Sequence, residues 1–323
     1  MASPAGTLTT YEAIGNREDL TNMIYMISPT DYPFMTMAKR GTASNTKHEW
    51  QTDALASASS SGQALEGNTA TATTATPTVR AFNYCEIQNR AFQISRTQQA
   101  MNPAGRKEMA WQLMKNSSEI KRNMEAALSG ANGAAVGATG TARVSASYES
   151  WISTNWTSQS SVTSARSEGF SSTNLCTAPV DATTGVTVTE ANAKAIIRAA
   201  WTAGGSPDTI LVGPYNKVKV SGFNGILTNN IFQQAGGQAK IVAAANAYVS
   251  DFGTLKVVPS RFNRDKTLGV LDFDYWKVCY LRPFQTTKLA VTGDNDSWMI
   301  TAEYCLESSN EAASGKVADL ATS

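Results

Sequence analysis

The chain has 323 residues, enough to bury a sizeable core in one large domain or two modest ones. Hydrophobic residues make up an ordinary 42%, but charged residues only 16%, against about a quarter in a typical globular chain. A net charge of +1 excludes a dedicated nucleic-acid binder with a basic stripe, and surfaces this poor in charge suit contact with other protein surfaces, or a secreted chain.

Cys85, Cys176, Cys279 and Cys305 are far apart and show no C-x-x-C pair. This spacing supports neither a zinc site nor a small disulfide scaffold and predicts buried, reduced thiols. The opening MASPAGTLTTYE lacks the basic and apolar regions of a signal peptide. The longest apolar run, 241–249, is too short to cross a membrane and contains Asn246. The expectation is a soluble product of the cytoplasm with no membrane contact.

Residues 1–46 carry few periodic signals. A short helix is expected over 19–26, stopped by Pro29 and Pro33, with TDYPF extended or turning. Tyr25, Tyr32, Phe34, Met35 and Met37 are too apolar for a free tail. Such an arm packs on its own domain or on a neighbouring subunit, and the sequence leaves both open.

Residues 47–95 read as a very long hairpin. KHEWQTD alternates, with His48 and Trp50 on one side and Glu49 and Gln51 on the other. An almost uncharged tip over 54–77 follows, then β-formers from Val79 to Ile94. An isolated two-stranded ribbon is unstable, so this one needs a surface to lie on; a loop between two strands of one sheet is the alternative.

The longest rigid element is expected over 102–130. Asn102 is placed as N-cap and Pro103 at the first helical position. Met109, Leu113, Ile120, Met124 and Leu128 draw one apolar stripe, and Gly130 is expected as a left-handed stop. At 1.5 Å per residue the rod spans roughly 40 Å. Residues 131–188, rich in Gly, Ser, Thr and Ala with Trp151, Trp156 and Phe170 as isolated anchors, read as an insertion with hardly any core.

At Thr189 the character changes. Thr189 caps a predicted helix with an apolar face of Ala193, Ile196, Ile197, Ala200 and Trp201, ending at Gly204-Gly205. DTILVGP (208–214) predicts a buried strand and NKVKVSGF a short helix. Residues 238–248, 255–259 and 267–281 complete a mixed α/β unit. From Arg282 a second hairpin is expected, with TTKLAV, a turn at Gly293-Asp294-Asn295-Asp296, and SWMITAEYCLESS. Its Trp298, Ile300, Ala302, Tyr304 and Leu306 share one face, the natural partner of the long helix's stripe.

No chemistry emerges from this order. His48, the only histidine, lies in a predicted strand and has no G-x-S-x-G or reactive-cysteine motif to serve. GANGAAVGATG follows a helix and lacks a closing Gly-Lys-Ser/Thr, so it is not a P-loop. Asp294, Asn295 and Asp296 fit a hairpin turn better than a calcium loop. Asp272 and Asp274 share a strand face beside Tyr275-Trp276, which reads as a structural edge. The sequence predicts no enzyme, no catalytic residue, no metal site and no cofactor.

Several phrases nevertheless carry a resemblance: TTYEAIGNREDLTNMIYMISPTDYPF (9–34), YESWIST (148–154), IVAAANAYVSDFGTLKVVPSRF (241–262), YLRPFQTTKLAVTGD (280–294) and NEAASGKVADL (310–320). They resemble a family of tailed-phage major capsid (major head) proteins with the Hong Kong 97-like fold, over nearly the whole chain and most weakly across 131–188. The resemblance implies an α+β fold with a 1–46 N-arm, a 47–95 extended loop and a 96–130 peripheral-domain spine helix. The 131–188 insertion, a 189–279 axial domain and a 280–323 return to the peripheral domain follow. It implies hexamers and pentamers in an icosahedral head around double-stranded DNA. The implied partners are the chain itself, a separate scaffold, portal, and decoration or cement proteins, with non-specific DNA contact. Tyr25, Tyr32, Phe34, Trp50, Leu55, Leu65 and Glu66 are the candidate inter-subunit contacts. No lysine lies between Lys47 and Lys107, so no loop-lysine cross-link is expected; nor is a leading scaffold segment, since the arm starts near Met1. The alternatives are an encapsulin-like nanocompartment shell and, from another class, a secreted surface or adhesion protein.

Overall fold

A computed structural model describes residues 28–56, 58–69, 74–75, 77–101, 107–158, 169–171, 175–223 and 246–322. Six helices are described: α1 Pro33–Met37, α2 Arg96–Ala100, α3 Glu108–Leu128, α4 Tyr148–Trp151, α5 Glu190–Thr202 and α6 Pro214–Ser221. The strands are β1 Lys39–Thr42, β2 Lys47–Thr52, β3 Val79–Tyr84, β4 Glu86–Ser95, β5 Trp156–Ser158 and β6 Thr209–Val212. They continue with β7 Ala247–Ser250, β8 Gly253–Pro259, β9 Leu268–Leu271, β10 Trp276–Lys288, β11 Asn295–Ser308 and β12 Gly315–Ala318. Three sheets result, in the orders β1-β10-β11-β4, β5-β12-β9-β6-β8-β7 and β2-β3.

The spine is α3. Its 102–106 approach, with the expected Asn102 cap and Pro103, lies outside the described residues, and the described helix begins after Lys107. Ile120, Met124 and Leu128 are buried, and Met109 and Leu113 half-buried, as the stripe predicts. The stripe enters one core with Ile300, Ala302, Tyr304 and Leu306 of β11. Gly130 does not adopt the left-handed conformation. It is small for another reason: a Cβ there would lie 2.7 Å from the carbonyl oxygen of Ala126 in the last turn.

The expected strand over 78–94 is two strands in two sheets. β3 pairs with β2, and β4 pairs antiparallel with β11, Asn295 opposite Ser95 through Tyr304 opposite Glu86. The arm likewise splits. Pro33, expected only as a stop, opens α1, where its missing N–H costs nothing. Residues 39–42 then pair parallel with β10 as β1. The helix expected over 19–26 lies outside the described residues.

Residues 131–188 hold the largest departure. Every residue from 145 to 152 is buried, and Tyr148, Trp151 and Ile152 belong to the main core. Phe34 of α1 stacks on Tyr148 at 5.4 Å and meets Phe273 and Trp276 edge-on. Gly269 of β9 makes room for the ring, since a Cβ there would lie 3.0 Å from Tyr148 Cε2. Small polar residues form a core here because each hydroxyl finds a buried partner. Ser145 Oγ accepts from Leu306 N at 3.2 Å, and Ser150 Oγ donates to Asn132 O at 2.7 Å.

The mixed unit forms as expected in outline. β6 is buried throughout, α5 buries Ala193, Ile196, Ile197 and Ala200, and α6 follows β6. Trp201, assigned to the buried face, is 53% exposed and rests against Phe252 at 5.2 Å. β10 leaves the unit for the other sheet, whereas β12, near the end of the chain, enters it between β5 and β9. The turn before β11 closes at Gly293, whose φ of 87° needs glycine; Asn295 and Asp296 already pair with β4.

A buried carboxylate fixes the arm to the spine. Glu125 on α3 accepts from Phe34 N at 2.8 Å and Met35 N at 2.9 Å. Burial pushes its carboxyl up to about 7, from the ordinary 4.5, against the downward pull of the Met35 and Phe34 N–H groups. The folded protein therefore binds an extra proton between about pH 4.5 and 7. The contribution of Glu125 to stability is greatest below pH 4.5 and falls, by about 3 kcal/mol, as pH rises through 7. Denaturant unfolding across this range measures the slope, and Glu125→Gln removes that part of it. An identical slope in the variant would refute the assignment.

Candidate assembly surfaces

The hairpin of β2 and β3 forms a two-stranded sheet of its own, from Lys47 opposite Tyr84 to Thr52 opposite Val79. Its root is gripped by buried polar contacts. Asn83 on β3 donates to Leu306 O at 2.7 Å and Ser145 Oγ at 3.2 Å, and accepts from Ala146 N at 3.1 Å. Trp50 on β2 donates to Ser308 O at 2.9 Å and sets its ring 5.4 Å from that of Trp151. His48 Nε2 lies 3.0 Å from Glu307 Oε2.

Around that root, β10 and β11 bring together what the sequence keeps apart. Cys279 and Cys305 face each other across the strands and cluster with Cys85, all three free and buried. Glu307 is pulled down to about 2 by its hydrogen bond with His48 and by those from Lys277 and Cys279. Burial and the neighbouring Glu307 push the Cys279 thiol up to about 12. The hydrogen bond with Cys85 raises the Cys305 thiol, together with burial. Protonated thiols are poor nucleophiles, so His48 and Cys279 do not form a relay. Asp272 and Asp274 do not act as a pair either. Asp272 accepts from the Asp274 and Ser206 backbones, while exposed Asp274 meets Lys39 at 2.8 Å.

Beyond the root, every described residue from 53 to 80 is exposed. Leu55 is 99% exposed and Leu65 85%, and Glu66, the one charged residue between 54 and 77, is exposed. The other candidate contacts divide differently. Phe34 has no exposed surface and belongs to the subunit's own core. Tyr32 is half-buried and donates to Ser118 O on α3 at 3.1 Å, and Trp50 is held at the root as above. Tyr25 lies outside the described residues. A second apolar surface, missed in the sequence, is Trp201 with Phe252 and Val249 beside edge strand β7, all at least partly exposed. Its one available signal was the position of Trp201 at the margin of the α5 stripe. Among the described residues, no helix is long and apolar enough to cross a membrane.

A subunit with a projecting two-stranded hairpin, a spine helix across a four-stranded sheet, and a six-stranded mixed domain has the Hong Kong 97-like capsid fold. The family model for the SU10 major capsid protein matches residues 4–321, and the chain belongs to that family. It is a phage major capsid protein, a structural component of the virion and not an enzyme. The major capsid protein of Escherichia phage Phieco32 is 26% identical over 98% of this chain and 97% of its own length. The capsid of a native GTA particle superposes with a TM-score of 0.61 at 12% identity, covering 99% of this chain and all of the other. The holo-SrpI encapsulin of Synechococcus elongatus gives 0.55 at 8% identity, covering 94% and 92%. The surface-protein alternative falls with the family membership.

Asn83 is the residue on which the hairpin root turns. Asn83→Ala leaves the Leu306 carbonyl and the Ala146 N–H buried without partners. Unfolding free energy should fall by about 3 kcal/mol, with early proteolysis at the hairpin root. Wild-type protection in limited proteolysis would contradict this account.

Proposed function

We propose that this subunit assembles into hexamers and pentamers of an icosahedral head that encloses double-stranded DNA. The observation that carries the reading is the exposed hairpin: two strands with no third partner among the described residues, tipped by two almost fully exposed leucines. A ribbon of this kind gains stability by lying on another surface. Leu55, Leu65 and Glu66 are its inter-subunit contacts, and an almost uncharged tip makes that contact inexpensive to desolvate.

In this reading residues 1–46 form the N-arm and 47–95 the extended loop. Residues 96–130 carry the spine and 189–279 the axial domain at the capsomer centre, around the 131–188 insertion; 280–323 return to the peripheral domain. Tyr32, Phe34 and Trp50 act indirectly, by seating the arm and the hairpin root within the subunit. A net charge of +1 supports weak, non-specific contact with DNA. A separate scaffold, a portal and decoration or cement proteins complete the partners, and synthesis takes place in the host cytoplasm. The encapsulin likeness favours a second reading, a shell around protein cargo. Nucleic acid in purified particles decides for the head, and a protein cargo without nucleic acid for the nanocompartment.

Size-exclusion chromatography and negative-stain microscopy of the full chain test self-assembly, with shells, tubes or rings expected. Deleting 53–76, or combining Leu55→Ser with Leu65→Ser, should abolish closed shells while leaving the melting temperature within a few degrees, since both leucines are solvent-exposed. Normal shells from the double variant would remove the hairpin tip from the assembly contacts. A monodisperse monomer under every condition, with the phage scaffold present, would overturn the self-assembling shell.

A further inference from the structure

His48, Cys279 and Glu307 come from β2, β10 and β11, and their ligating atoms lie within 4.8 Å of one another. Two separations are tighter and share an atom. His48 Nε2 is 3.0 Å and Cys279 Sγ 3.1 Å from the same oxygen, Glu307 Oε2. A tetrahedral zinc ion, with bonds of 2.0–2.3 Å, holds such ligands about 3.3–3.6 Å apart. Both close pairs need to open by only about half an ångström to admit an ion.

The carboxylate is already oriented for this. Its Oε1 accepts from Lys277 Nζ at 2.8 Å and Ser309 Oγ at 3.3 Å, as an outer-shell partner would fix it, which turns Oε2 to His48 and Cys279. The wall over the sulfur is Gly41 of β1, where a Cβ would lie 2.6 Å from Cys279 Sγ. The thiol is buried, while the His48 and Glu307 side chains keep 15% and 11% of their surface, which leaves an entry path.

We propose that these three residues form a zinc(II) site, with water as the fourth ligand, that staples the root of the projecting hairpin to the four-stranded sheet. Imidazole, thiolate and carboxylate together select zinc, or cobalt as its spectroscopic substitute, over the all-oxygen shells of magnesium and calcium. Binding forms a metal–sulfur bond, sends the thiol proton to solvent and moves no electrons. Thiolate and carboxylate then offset the two charges of the ion. Cys279 and Glu307 lie on adjacent sheet strands, and His48 is the one ligand the hairpin contributes. Spacing rules miss the site because its ligands come from three separate strands and form no local pair.

The test titrates the metal-free full-length chain with zinc by calorimetry and with cobalt by absorption. One ion per subunit is expected, with a thiolate-to-cobalt charge-transfer band and a rise in melting temperature on adding zinc. Cys279→Ser should remove the band, and His48→Gln should weaken zinc binding about tenfold or more while keeping the circular dichroism of the fold. Cys85→Ser and Cys305→Ser should keep both signals. Absence of saturable binding, a band that survives Cys279→Ser, or zinc affinity unchanged in His48→Gln would each overturn the proposal. Should Cys279→Ser fail to fold, the His48→Gln titration decides alone.

Discussion

Glu149 is a carboxylate with no exposed surface, and the rest of the structure is built around keeping it satisfied. Burial pushes its carboxyl up, against the pull of Arg264 and Lys316. Arg264 Nη1 reaches both of its oxygens at 3.1 Å, Thr267 donates at 2.6 Å, and Lys316 Nζ caps its main-chain carbonyl at 2.7 Å. Arg264 also meets Asp181, so its own charge is shared between two acids. A buried ion of this kind is tolerable only when every partner is present. Those partners sit just before β9 and on β12, two of the four interior strands of the six-stranded sheet. α4, which carries Glu149, also carries Tyr148 and Trp151 into the other core. The two halves of the subunit are thereby locked into a single arrangement, and the hairpin root and the arm inherit their positions from it.

Periodic features were legible in the sequence. The α3 stripe, the β2 alternation, the buried β6 run and the shared face of β11 each place apolar residues at the period of their own element. What was not legible depends on distance along the chain. Glu149 and Lys316 are 167 residues apart, and nothing local marks either as buried. The segment over 145–152 read as filler because serine hydroxyls count as polar until their acceptors are known. Trp201 read as core because a helical wheel cannot say where the neighbouring sheet ends. Gly130 was correctly singled out for the wrong cause, being small for closeness and not for its dihedral angles.

The candidate contacts show the same limit. An aromatic residue in an irregular arm signals packing but not the surface it packs on, and Phe34 turned inward. Leu55 and Leu65 stand out for the opposite reason, as apolar residues in a stretch too rich in small polar neighbours to bury them. The thiol cluster was invisible because Cys85, Cys279 and Cys305 meet only after β10 and β11 have paired.

β12 has a bearing on timing. It lies between β5 and β9, yet it is the last strand in the chain, so the ribosome makes it after every other strand of that sheet. Until residues 315–318 emerge, β9 and β5 present unpaired edges, and the Glu149 carbonyl lacks the Lys316 ammonium. Such long-range closure is slow compared with local pairing. A nascent subunit therefore exposes its hairpin tip before its own core is complete. The six-stranded sheet therefore cannot close until β12 has been made.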